Sequence, residues 1–239
     1  MIRQLKFEVK KLIFQSKYWI IWIALVVSSI LYSVLLYCKG LSEFEIVNTS
    51  LAMFRPICWL LSSYIICEIV ANDYHYKLLK TILPYAKSRS YYIISKLILA
   101  LGVCLIVFLI SYVSISTTVF FISADRVWTV DFDLFLRIAL AIIAGILCFA
   151  SVSIFFMIFT ESEVAVIGIS MGAILIMLVL ESIEPILYYL PTMWLITLPA
   201  ATQSVSSIIY MSMTILVFIS LLILVITIKQ FQKKDLFVF

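Results

Sequence analysis

The chain has 239 residues, 65% of them apolar and 13% charged, with a mean hydropathy of +1.20 and a formal net charge of +4. Soluble domains run to about half apolar and about a quarter charged, so a soluble globular enzyme, a disordered chain and a small disulfide-stapled secreted domain are excluded. Such a composition describes an integral membrane protein.

Residues 1–17 form a basic amphipathic helix. At about 100° per residue, Ile2, Leu5, Val9, Leu12 and Ile13 gather on one side, opposite Arg3, Lys6, Lys10 and Lys17. Such a helix lies in the membrane interface with its basic face near anionic headgroups, either as an anchoring elbow alone or also as a contact for a cytoplasmic partner.

A spanning helix needs about 20 mainly apolar residues, because the hydrocarbon layer is about 30 Å thick and each residue rises about 1.5 Å. Six stretches qualify: 18–38, 51–71, 93–122, 135–159, 164–180 and 208–228. A membrane β-barrel would alternate apolar and polar residues, whereas 142–149 and 215–226 are near-continuously apolar. The predicted class is therefore an all-α integral membrane protein. The first span is too long for a signal-peptide core. Leu35-Leu36-Tyr37-Cys38 is a poor lipoprotein box because Tyr37 is bulky, so this span is expected to stay as an anchor.

Basic residues orient the chain. The N-terminal segment, the connection after span two (Lys77, Lys80, Lys87, Arg89, Lys96) and the 229–239 tail (Lys229, Lys233, Lys234) hold 13 of the 17 Lys and Arg. The opposite side has Lys39, Arg55, Arg126 and Arg137. Short translocated loops are poor in Lys and Arg, so the basic side is expected to face the cytoplasm of a multi-pass protein in the cell membrane, with both termini inside. Cys58, Cys67, Cys104 and Cys148 fall inside spans without paired spacing, and read as small buried apolar residues rather than ligands or disulfide partners.

Residues 72–92 are too polar to span. Tyr74, Leu78 and Ile82, then Leu79 and Leu83, recur at helical spacing until Pro84, and Lys87-Ser88-Arg89 follows. The spacing predicts a short cytoplasmic helix with an apolar ridge, which packs on its own bundle or, the reading favoured here, docks on a partner. In span five, Gly168 and Gly172 make a small-xxx-small pair that favours close helix packing, within one chain or between two. Residues 181–207 are apolar and aromatic but carry Pro185, Pro191 and Pro199, so short external helices that dip back toward the bundle are expected. Tyr188, Tyr189 and Trp194 are either an interfacial aromatic belt or a lid over a substrate route.

Catalytic and metal signatures are missing. His75 is the sole histidine, there is no HExxH, and Glu161 with Glu163 reads as a solvated turn, so an enzyme is not expected. Arg55 is placed near the outer end of span two and Glu68 near its inner end, about 20 Å apart along the helix, too far to pair. Arg137 and Glu181 are placed at outer margins. With no charge expected at mid-membrane, ion-coupled transport lacks its usual site, and with no GxxxxGK[ST] loop the chain cannot hydrolyse ATP by that route. Uphill transport would need a separate ATPase.

The whole pattern resembles a type-two ATP-binding-cassette exporter permease: a basic amphipathic N-terminal helix, six spans, a long segment after span two and a re-entrant stretch before span six. Leu79-Lys80-Thr81-Ile82-Leu83-Pro84, then Ser88-Arg89 and Lys96, is similar to that family's run into its third span, and Phe231-Gln232-Lys233-Lys234-Asp235-Leu236 to its closing run. Asp73 stands where the family often has glutamate, while Tyr76-Lys77-Leu78 lacks its Gly-Thr pair. The resemblance implies that residues 72–83, with Asp73, Tyr74, His75, Tyr76, Leu78, Leu79, Ile82 and Leu83, are a coupling helix seated on the ATPase, with Arg89 following, and that 1–17 are a connecting helix. It implies two ATPase copies holding ATP and magnesium, a second identical or related permease, no cofactor on this chain and no nucleic-acid partner. Small permeases of this kind serve peptide antibiotics, bacteriocin immunity, cytolytic peptides or drugs, and the expected cargo is an amphipathic peptide or hydrophobic antimicrobial. A non-transporting membrane receptor or scaffold using the same ridge is the alternative.

Overall fold

The computed structural model describes residues 9–10, 16–75, 89–122, 132–160, 162–194, 197 and 203–233. Among these residues there are seven helices and no strand: α1 (Ser16–Cys38), α2 (Glu43–His75), α3 (Arg89–Ile122), α4 (Phe132–Thr160), α5 (Glu163–Leu180), α6 (Glu184–Leu187) and α7 (Gln203–Lys233). Five are long and apolar enough to cross a membrane: Tyr18–Cys38, Glu45–Ile69, Ser90–Ile122, Leu136–Thr160 and Val205–Lys233.

The fifth expected span is different in kind. Val164–Leu180 is apolar but has only 17 residues, or about 26 Å of helix against a layer of about 30 Å. The second span also begins earlier than hydropathy suggested, at Glu45 rather than residue 51. The reason is local. Glu45 Oε2 accepts from both the Ser42 amide (3.0 Å) and the Ser42 hydroxyl (2.7 Å), which fixes the first turn of α2 although Glu43, Glu45 and Asn48 depress its hydropathy. Just before it, Gly40 adopts φ 77 and its amide bonds to Tyr37 O at 2.9 Å, closing α1 with a left-handed residue that a side chain would strain. At the start of α5, Ser162 Oγ accepts from the Ala165 amide at 3.4 Å.

The helices run alternately up and down, and side-chain contacts fix their register. Ser33 meets Ser50 at 3.4 Å and the Tyr18 hydroxyl donates to Glu68 at 3.0 Å, so the apolar stretch of α1 runs antiparallel to 45–68 of α2. Cys58 meets Ser111 at 3.5 Å, and the Cys104 thiol donates to Ser62 O at 3.6 Å, aligning α2 with α3. Ser153, Ser170 and Cys67 tie α4, α5 and α2 together, at 2.9 Å and 3.6 Å. Small polar side chains are used here as interhelical pins, a common device where lipid gives apolar surfaces no reason to associate.

Burial is graded accordingly. The apolar stretches of α2 and α4 are 56% and 61% buried, those of α1 and α7 only 22% and 28%. The centre is aromatic: Trp59, wholly buried, stands edge-on to Phe108 (5.0 Å) and tilted against Phe149 (5.3 Å), with Gly145 beneath its ring. Exposed Ile20, Ile23, Leu31 and Leu35 on α1, and Met211, Phe218, Leu222 and Ile226 on α7, are what a lipid-facing rim requires.

Candidate functional site

The predicted coupling residues divide between two places. Asp73, Tyr74 and His75 belong to the backbone of the last turn of α2, which continues where a separate helix was expected, and Arg89 opens α3. Tyr76, Leu78, Leu79, Ile82 and Leu83 lie outside the described residues, as do most of residues 1–17 and Glu161.

Of the three aromatic residues after α5, Trp194 is a core residue with no exposed surface, Tyr188 is half-buried and Tyr189 is 55% exposed. Trp194 Nε1 donates to Tyr188 O at 3.2 Å, and the Ser212 hydroxyl of α7 reaches the same carbonyl at 3.4 Å. Leu190, Pro191 and Thr192 are buried too. Pro185 acts as its chemistry dictates: it stands in the first turn of α6, which lasts four residues, and turns carry the chain into and out of it.

One cluster changes the sequence-based picture. Arg55 and Glu181 form an ion pair at 2.5 Å, with side chains only 9% and 11% exposed. A second Arg55 nitrogen donates to Met193 Sδ at 2.6 Å. Arg55 was expected near the rim of its span. Because the apolar stretch of α2 starts six residues earlier, it instead lies four residues from Trp59, about 6 Å of helix, and level with the middle of the α1 stretch. The charge-free middle expected from sequence is therefore corrected: a buried, paired Arg and Glu occupy it. The signal was available, since lone opposite charges bordered by apolar sequence must find partners. Glu68, on the same helix as Arg55, is too far away to be that partner.

The end of the bundle away from Gly40 holds a second buried polar group. Glu68 and Lys96 are each 2% exposed, and the register of α2 against α3 brings them to the same depth. The Lys96 ammonium stands 5.6 Å from the Tyr92 ring centroid, and Tyr92 stacks on Phe231 of α7 at 5.9 Å. Lys96 is thus a buried member of α3, not part of a solvated basic loop. Gln232 donates to Ser90 at 2.8 Å, closing α7 onto α3. Among the described residues no three His, Cys, Asp or Glu come together as metal ligands would.

The glycine pair also has a defined place. A Cβ added at Gly168 or Gly172 meets nothing within 4 Å, so neither glycine admits a neighbouring helix of the same chain. Alanine at either position is expected to leave the stability of the detergent-solubilised protein unchanged or to raise it by up to about 1 kcal/mol, read as an equal or higher melting temperature. A clear loss in a monodisperse monomer would show a packing role that the fold does not display.

No protein-family model matches this sequence, and no curated protein or solved structure is significantly similar to it. Helix length, hydropathy and packing establish a multi-pass, all-helical membrane protein with five candidate spans among the described residues.

Proposed function

We propose that the chain is the membrane permease subunit of an ATP-driven exporter, working with a separate ATP-binding-cassette ATPase and a second permease, and moving an amphipathic peptide or hydrophobic antimicrobial out of the cell. The observation that carries this reading is the architecture around α5. A short apolar helix is followed by a proline-broken stretch folded down into the bundle, the re-entrant arrangement that the type-two permease resemblance implies. The basic segments at the opposite end support a cytoplasmic seat for the ATPase.

The Arg55–Glu181 pair does not argue for an ion-coupled carrier instead. Arg55 and Glu181 are engaged with each other, and an ion-binding carboxylate has to be available to its ion. Trp59, Phe108 and Phe149 fill the centre of the single chain, so a cargo route runs along the surface shared by two permeases rather than through one bundle. A filled centre equally suits a non-transporting receptor or scaffold. Cargo-stimulated ATP hydrolysis in proteoliposomes separates the two readings.

The direct test is at the apolar ridge. Leu79→Asp with Leu83→Asp places two carboxylates where the ridge enters the ATPase. Membrane insertion should be normal, while co-purification of the ATPase falls at least about tenfold, as expected when apolar anchors worth over about 1.4 kcal/mol are lost. Undiminished co-purification and export would remove the coupling assignment.

A further inference from the structure

Arg55 holds both ends of one short stretch of chain. Its guanidinium pairs with Glu181, the residue that caps α5, and donates to Met193, twelve residues later. Between these two points the backbone bonds are local, from Ile186 and Leu187 to Ile183, Tyr189 to Ile186, Leu190 to Leu187 and Met193 to Leu190. No residue of α6 is buried. Among the described residues, Arg55 from α2 and the 3.4 Å bond from Ser212 of α7 tie the stretch to the long helices. Yet Leu190, Pro191, Thr192 and Trp194 are buried, so the stretch is held down in the bundle and not merely laid across it.

The pairing is also incomplete. Arg55 Nε and Glu181 Oε1 are buried without a hydrogen-bond partner, and so is the Thr192 hydroxyl, on a residue with no exposed surface. A buried charge pair is stable when its remaining donors and acceptors are satisfied; half-satisfied, it competes poorly with hydration of the separated groups. Water satisfies all three atoms, and lifting of the stretch is an arrangement that brings it to each of them.

We propose that the Arg55–Glu181 pair is a releasable latch. Closed, it keeps residues 181–193 folded into the half of the bundle on the Gly40 side; open, it lets that stretch lift as a unit and admits water beside α2. In an exporter this is a gate at the end opposite the ATPase, but the latch itself needs neither ATPase nor cargo, so its test can fail separately from the transport reading.

The test uses the purified full chain in lipid nanodiscs, with Cys38→Ser to remove the exposed thiol. A cysteine is introduced by Thr192→Cys, or by Tyr189→Cys as the exposed control, and the rate of reaction with a charged maleimide is followed by peptide mass spectrometry. With the latch intact, the position-192 thiol should react far more slowly than the position-189 thiol. Glu181→Gln, which removes the charge and keeps the shape, should speed position 192 by about tenfold or more, since labelling of a protected site tracks its local opening. Exchanging the charges with Arg55→Glu and Glu181→Arg should restore slow labelling. Native Cys104, wholly buried between α2 and α3, should stay unreactive throughout. The latch is overturned if position 192 reacts as fast as position 189 from the start or if Glu181→Gln leaves its rate unchanged. Exposure of Cys104 together with position 192 also overturns it, because that is general loosening rather than local release.

Discussion

Arg55→Met should be among the most destabilising single substitutions in the chain, and adding Glu181→Met should recover much of the loss. Removing one partner leaves the other as an uncompensated charge in the apolar interior, a change that costs about 3–5 kcal/mol in buried pairs, whereas replacing both by apolar residues of similar size is often near neutral. The pair here meets the conditions: 2.5 Å separation, about nine-tenths burial on both sides, and a position four residues from the central Trp59. Methionine fills most of the arginine stem volume, so the comparison isolates charge rather than a cavity. Arg55→Lys should fall between. A lysine keeps the charge but has one ammonium in place of the planar fork that reaches Glu181 and Met193 together. Thermal unfolding of wild type, Arg55→Met, Glu181→Met, the double variant and Arg55→Lys in one detergent, read by loss of the monodisperse peak, gives the coupling. If the double variant is as unstable as the sum of the singles, the two side chains do not interact and the assignment of the pair is wrong.

Much of the architecture was legible in the sequence because hydropathy is a local property. The apolar stretches, the absence of strand pattern and the burial of Cys58, Cys67 and Cys104 all follow from residue type along one segment. What stayed hidden depends on register. Arg55 and Glu181 are 126 positions apart, and nothing local to either says that α5 stops at the depth of Arg55. Lys96 looked like loop charge because charge normally marks the membrane surface; its burial depends on an aromatic face from Tyr92 and the approach of α2 and α7. The start of α2 was misjudged for a different reason. A hydropathy threshold sees Glu43 and Glu45 as polar, while the helix sees Ser42 and Glu45 as a cap. The coupling ridge rests on sequence alone, since Leu78 through Leu83 fall outside the described residues.

Gly145→Ala is expected to destabilise the bundle although alanine favours helix formation. In an exposed helix the exchange would gain up to about 1 kcal/mol. At position 145 the added methyl is driven into the indole of Trp59: it collides with Cη2 and comes within 3.1 Å of both Cζ2 and Cζ3. The ring has nowhere to retreat, since Phe108 and Phe149 flank it and no part of it is exposed. Overpacking of this kind costs about 1–3 kcal/mol, enough to outweigh the helix-propensity gain at all but the lower end of that range. The cause can be separated from a generic effect on α4 by shrinking the partner. Trp59→Phe removes the six-membered part of the indole along with a buried N–H that has no hydrogen-bond partner, so its own cost should be modest for so large a core residue. In the Trp59→Phe background, Gly145→Ala should become neutral or stabilising. Melting temperatures of the two singles and the double, beside Gly172→Ala as the open-site control, decide the matter. An equal penalty for Gly145→Ala in both backgrounds would mean that the close approach of α4 to Trp59 is not what the glycine provides.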